Sequence, residues 1–86
     1  MEHPAAEDKL AVLLITPQEV LFDGSARSVI LPGEKGTFEV LPHHKPLLSL
    51  IVKGDILVDG RPFPIKRGLA KVAKNSLQAI IEPRLD

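Results

Sequence analysis

Short apolar runs cut by turn residues make up most of the chain, and their lengths suit strands better than helices. Leu10 to Thr16 is an unbroken apolar run closed by Pro17, short enough for a strand buried on both faces. Glu19-Val20-Leu21-Phe22 follows and ends at Asp23-Gly24, a turn dipeptide. Ser28 to Leu31 is stopped by Pro32-Gly33, and Gly36 to Leu41 alternates so that Phe38 and Val40 share one face. Leu47 to Val52 is apolar and ends at Lys53-Gly54. A helix there would start with Pro46 at its first position. Against it, Ile51 and Val52 favour a strand and Gly54 stops the run early.

The last third reads as a meander. Ile56-Leu57-Val58 runs into Asp59-Gly60, the strongest short hairpin signal in the chain. In the next segment Phe63 and Ile65 lie on one face, with Pro62, Pro64 and Lys66 on the other. Residues two apart direct their N–H groups to the same edge, so the two prolines remove donors from one edge only. That strand lies at a sheet edge or pairs there only through its other side. Leu69 to Lys74 and Leu77 to Glu82 follow, separated by Asn75-Ser76, where Asn75 suits a left-handed turn. Eight or nine strands spaced by roughly 8–12 residues predict an all-β fold, a single small sandwich or flattened barrel of about eight to ten strands. Residues 10–86 form this domain in that reading, and the polar, alanine-rich residues 1–9 form a flexible N-terminal arm.

Composition narrows the class. A chain of 86 residues supports one small domain, and 44% hydrophobic content supplies a core and argues against disorder. The absence of cysteine excludes disulfides and thiolate metal sites. No apolar run approaches the roughly 20 residues that span a bilayer, and MEHPAAEDKL lacks the basic and apolar regions of a secretory signal. Zero net charge and three aromatics argue against nucleic-acid binding. The expectation is a soluble, cytosolic protein. Its charge is uneven: residues 1–60 carry nine acids against five bases, and residues 61–86 carry six bases against two acids. Either the two segments pair as strands, or the surface is bipolar and orients the domain between partners.

Catalytic patterns are missing. His43-His44 lies between Pro42 and Lys45-Pro46, but neighbours in an extended chain point opposite ways, and no H-x-H or H-E-x-x-H spacing exists. Turn histidines satisfied by backbone hydrogen bonds are the simpler reading. No serine sits in G-x-S-x-G, and Gly33-Glu34-Lys35-Gly36 lacks the G-K-S/T ending of a phosphate loop. The carboxylates are scattered. No catalysis by this chain, no metal and no cofactor is expected.

One stretch carries a more specific pattern. Phe22 to Leu50 reads FDGSARSVILPGEKGTFEVLPHHKPLLSL. It resembles the N-terminal β-sandwich domain of the epsilon subunit of the rotary F-type ATP synthase, called delta in mitochondria. Phe22, Gly24, Gly33, Gly36, Pro42, His44, Pro46, Leu47 and Leu48 match the family pattern in order and spacing. Gly54-Asp55-Ile56, Phe63 to Gly68 and Asn75 continue it, so the likeness covers about residues 10–83. Glu39 stands where the family often has a third glycine. The two helices that follow the sandwich in many members, and that carry ATP sensing and inhibition of rotation, have no counterpart before Asp86, so neither property is implied here.

The resemblance implies a non-catalytic rotor subunit at the cytoplasmic face of the energy-coupling membrane. It would grip the gamma subunit and rest on the polar loops of the c-ring, with no nucleic acid and no direct membrane insertion. By motif position, Glu34, Lys35, Gly36 and Thr37 would meet the c-ring, and Thr16, His43, His44 and Lys45 would face gamma. Two rival classes are a lipoyl- or biotinyl-type carrier and a small enzyme using His44. A carrier needs a modifiable lysine at a hairpin tip, flanked by Met or by Asp-Lys-Ala. Lys74 lies beside a turn but within Ala-Lys-Asn, and Met1 is the sole methionine.

Overall fold

A computed structural model describes residues 8–85. It contains eight strands and, among the described residues, no helix: β1 (Leu10–Ile15), β2 (Val20–Ala26), β3 (Val29–Gly33), β4 (Gly36–Val40), β5 (Leu47–Ile51), β6 (Gly54–Val58), β7 (Arg61–Ala73) and β8 (Ser76–Pro83). All eight belong to one sheet that folds over on itself. One layer runs β2-β1-β8-β7-β5, and β6, β3 and β4 continue from the first half of β7 as the second layer. The expected all-β sandwich is therefore present, with eight strands.

β7 makes the two layers possible. Its first half, Arg61 to Ile65, pairs with β6, while its second half pairs with β8 on one side and β5 on the other. Between them the register with β8 skips Lys66, a one-residue bulge. The bulge switches which side chains point inward, from Phe63 and Ile65 to Ala70 and Val72. The segments read from sequence as two strands are thus one strand of 13 residues, continuous because the bulge turns the corner without breaking the chain. Pro62 and Pro64 pair with Leu57 and Asp55 of β6; on the other edge, where they have no N–H to donate, the Pro64 carbonyl accepts the Arg84 N–H at 3.0 Å and Ile65 pairs with Pro83. Ile51 pairs with Gly33, and the Val52 N–H donates to the Pro32 carbonyl at 2.8 Å, which closes the opposite seam.

The core lies between the layers. Leu10, Val12 and Leu14 of β1 face Leu31, Ile56 and Ile65 within one buried apolar cluster. Phe22 and Phe63 meet edge to face at 5.9 Å on its margin. β1 is buried on one face only; Leu13 and Ile15 on the other are half-exposed, because a two-layer sandwich has a single interior. The run Leu47–Val52 is strand, not helix, through Ile51.

The turns fall partly elsewhere than the residues suggest. Asp23-Gly24 continues β2, since both residues pair in register with Leu13 and Val12. β2 ends at Ala26, and the chain passes to β3 through Arg27–Ser28, whose N–H groups both donate to the Asp59 carboxylate, at 2.9 and 3.0 Å. β3 runs through Pro32-Gly33 to a two-residue turn at Glu34-Lys35, closed by the Gly33–Gly36 pair. Asp59-Gly60 forms the expected hairpin, with φ of 48° and 84°, the left-handed pair that a tight primed turn requires. The last hairpin uses Lys74-Asn75, φ 52° and 58°, one residue earlier than Asn75-Ser76. The basic segment 61–86 pairs with β1, β5 and β6, and Arg84 meets Asp55 across that boundary at 3.1 Å. Of the residues assigned to a flexible arm, 1–7 lie outside the described residues, and the Lys9 carbonyl accepts a hydrogen bond from Asn75.

Gly68, just past the bulge, leaves no room for a side chain. A Cβ there would lie 2.7 Å from the Ile80 carbonyl oxygen and 2.8 Å from Ile81 Cγ2. Gly68→Ala is expected to lower unfolding free energy by about 1–3 kcal/mol in urea titration, because backbone cannot yield as a side-chain tip would. Gly60→Ala, where nothing lies within 4 Å, loses only the glycine's left-handed freedom and serves as the comparison.

Candidate functional site

Strand register aligns five apolar side chains into a row across the outer face of the five-stranded layer. Leu50 of β5 pairs with Leu69 of β7, Leu69 with Ile80 of β8, Ile80 with Ile15 of β1, and Ile15 with Val20 of β2. With strands about 4.8 Å apart, the row is roughly 19 Å long. Leu50, Ile80 and Val20 are each more than half exposed, and Leu48 and Val52 extend the patch along β5. The outer face of the other layer differs: Ile30 and Leu57 are half-buried between Glu39 and Pro62. An apolar band crossing every strand of one face marks an interaction surface.

The turns assigned from sequence lie around this face. β5 is about 17 Å long and joins two of them. At its far end, Glu34 lines two open grooves that flank Leu50. One groove, about 590 Å³, runs between the Glu34–Thr37 tip and Leu47–Leu50; the other, about 740 Å³, reaches across Leu69 and Ile80 to Thr16. Lys35, Gly36 and Thr37 are exposed, and Gly36 has φ of 124°, a conformation suited to glycine.

Thr16 therefore sits with Glu34, at the opposite end of β1 from the histidine corner. It is 6% exposed, and its hydroxyl oxygen accepts the N–H groups of Gln18 and Glu19 at 3.1 and 3.0 Å. The Thr16 N–H donates to the Glu19 carbonyl at 2.8 Å. These bonds shape the turn that walls the groove.

His43, His44 and Lys45 form the corner at the near end of β5. Leu41 to His44 make a turn in which the His44 N–H donates to the Leu41 carbonyl at 3.2 Å. Pro42 precedes His43, whose φ is 67°, the arrangement of a type II turn. The His44 Nδ1 lies 2.8 Å from the Lys45 carbonyl. A carbonyl only accepts, so Nδ1 is the donor in this bond. The His43 N–H donates to Asn75 Oδ1 at 2.8 Å, and Asn75 Nδ2 donates to the Lys9 carbonyl at 2.8 Å. His44 thus has backbone partners, whereas the His43 backbone N–H is held by the Asn75 side chain.

The row itself was not among the expected site residues. Its signal was present in the unbroken runs: Leu47-Leu48 and Ile80-Ile81 place apolar groups on both faces of their strands, more than one core can bury. Lys74 occupies an exposed hairpin tip, the position a carrier lysine would need. Among the described residues no group of three or more acids and histidines could hold a metal ion, and no helix is long and apolar enough to cross a membrane.

The chain is a small β-sandwich with an apolar outer face and exposed turns at both ends of one strand. Residues 9–82 match the family described as ATP synthase, Delta/Epsilon chain, beta-sandwich domain. The chain belongs to that family. It is 40% identical over 80 residues to the ATP synthase epsilon chain of a Nitratiruptor species, covering 87% of this chain and 62% of the relative. Against the epsilon chain of Maricaulis maris the identity is 42% over 80 residues, with coverage of 87% and 59%. The chain thus spans less than two thirds of the length of these curated relatives. Its fold matches a chain in the cryo-EM structure of the Tetrahymena thermophila mitochondrial ATP synthase central stalk and c-ring, with a TM-score of 0.76 and 13% identity, over 93% of this chain and 68% of that one.

Thr16→Val is expected to cost about 1–2 kcal/mol in chemical denaturation, since two N–H groups lose their acceptor, whereas Thr16→Ser stays near the native value. Equal stability of the two variants would show that the hydroxyl does not hold the turn.

Proposed function

We propose that this domain is a non-catalytic rotor element of an ATP synthase, bound to the gamma subunit and seated on the polar loops of the c-ring. It would sit at the cytoplasmic face of the energy-coupling membrane as a peripheral part of the complex. The observation that carries the reading is the apolar row across the five-stranded layer, together with membership of the delta/epsilon family. Gamma would cover Leu50, Leu69 and Ile80, with the corner His43, His44 and Lys45 at the margin of that contact. The exposed tip Glu34, Lys35, Gly36 and Thr37 would meet the ring, where charged and hydroxyl groups set register in a wet interface. A rotor part must pass torque without yielding. Two packed layers joined through one continuous strand resist shear better than two segments joined by a loop.

Co-expression with a gamma subunit is expected to give a one-to-one complex on co-purification. Leu50→Asp with Ile80→Asp should abolish it while leaving the domain folded, since both side chains already lie in solvent. His44→Ala should weaken it without loss of any small-molecule turnover. Co-purification of the double variant at native yield would refute the apolar row as the gamma face. A stoichiometric lipoyl or biotinyl mass increment on Lys74 would favour the carrier reading instead. For the tip, Lys35→Glu with Thr37→Asp in the assembled enzyme is expected to reduce proton pumping while ATPase turnover persists. Unchanged pumping would remove the tip from the ring contact.

A further inference from the structure

We infer that Asn75 is a positioning residue for the gamma contact: from the β7–β8 turn it holds the His43–Lys45 corner in the shape a partner meets. This rests on the reading of that corner as part of the gamma interface.

The backbone at position 75, φ 58°, explains an asparagine but does not require one, since glycine serves a tight hairpin equally well. The side chain is what exceeds the turn's needs. An asparagine that supports its own turn bonds to backbone a residue or two away. Here both ends of the amide reach other segments. Oδ1 accepts from His43, 32 residues away, and Nδ2 donates to Lys9, 66 residues away, both at 2.8 Å. The Asn75 carbonyl also accepts the Ala11 N–H at 3.1 Å. One residue thus ties the start of β1, the last hairpin and the histidine corner.

The corner depends on such a tie. His43 holds a left-handed φ without being glycine, a conformation that costs free energy unless its surroundings impose it. The corner's own turn bond is the longer one, 3.2 Å from His44 N to the Leu41 carbonyl. Fixing His43 fixes the chain entering His44, whose ring is locked in turn by the Lys45 carbonyl. A corner preset in this way binds without first being ordered, which is where preorganisation gains affinity.

The test compares the native chain with Asn75→Gly and Asn75→Asp, measuring gamma affinity and unfolding free energy for each. Asn75→Gly keeps the left-handed turn and removes both side-chain bonds, and affinity should fall about tenfold, the scale of one lost ordering hydrogen bond. Asn75→Asp keeps an acceptor for His43 but sets a carboxylate oxygen against the Lys9 carbonyl. Its stability should fall at least as far as that of Asn75→Gly, while its affinity recovers to within about threefold of native. Affinity that tracks stability across the three proteins would overturn the inference, as would native affinity in Asn75→Gly. His44→Ala separates the two levels. If it leaves affinity unchanged, the corner is not a gamma contact and both readings fall. If it weakens binding while Asn75→Gly does not, only the role of Asn75 falls.

Discussion

The structure depends on one strand being shared by two layers. β7 pairs with β6 in its first half and with β8 and β5 in its second, and the single bulged residue Lys66 lets it change layers without a loop. Because the bulge also inverts the inward parity, Phe63 and Ile65 can fill one wall of the core while Ala70 and Val72 fill the other. Gly68 follows at the tightest point of that passage, pressed against the backbone of β8. A domain of this size has little core to spare, so continuity at this corner matters more than any one contact elsewhere.

The same arrangement creates the outer face. Once β7 and β8 are central in the five-stranded layer, their second faces have no layer of their own to pack on. Leu69 and Ile80 are left in solvent, in line with Leu50, Ile15 and Val20. The row is a consequence of register, and it is bounded by the Arg67–Glu82 pair at 2.7 Å on the side toward the tip. Along β5 it runs from the histidine corner to the glycine-flanked tip, so the two turns assigned to different partners stand at opposite ends of a common apolar surface.

Much of this was legible in the residues. The all-strand content, the Asp59-Gly60 hairpin and the missing donors of Pro62 and Pro64 follow from local stereochemistry. The misplaced turns have a common cause: Asp23-Gly24 and Pro32-Gly33 carry turn propensity, but register with β1 and β4 supplies their hydrogen bonds and outweighs it. The bulge at Lys66 left no local mark, because it answers to packing between layers. The exposed turns expected at the tip and corner are present. Thr16 stands apart from the corner because sequence motifs do not report which ends of strands are neighbours. The row was hidden for a different reason. Apolar residues on both faces of Leu10–Thr16 read as a strand buried twice, and only the fold reveals that its second face has no layer packed on it.

The central claim is that this second face is a docking surface. Methyl NMR of the chain with labelled Leu, Ile and Val, recorded with and without a gamma subunit, tests it most directly. The account predicts that the methyl signals of Leu50, Leu69 and Ile80 shift on complex formation while those of Leu31 and Ile56, inside the sandwich, stay in place. Shifts confined to Ile30 and Leu57 on the other layer, or no shift along the row in a formed complex, would contradict it.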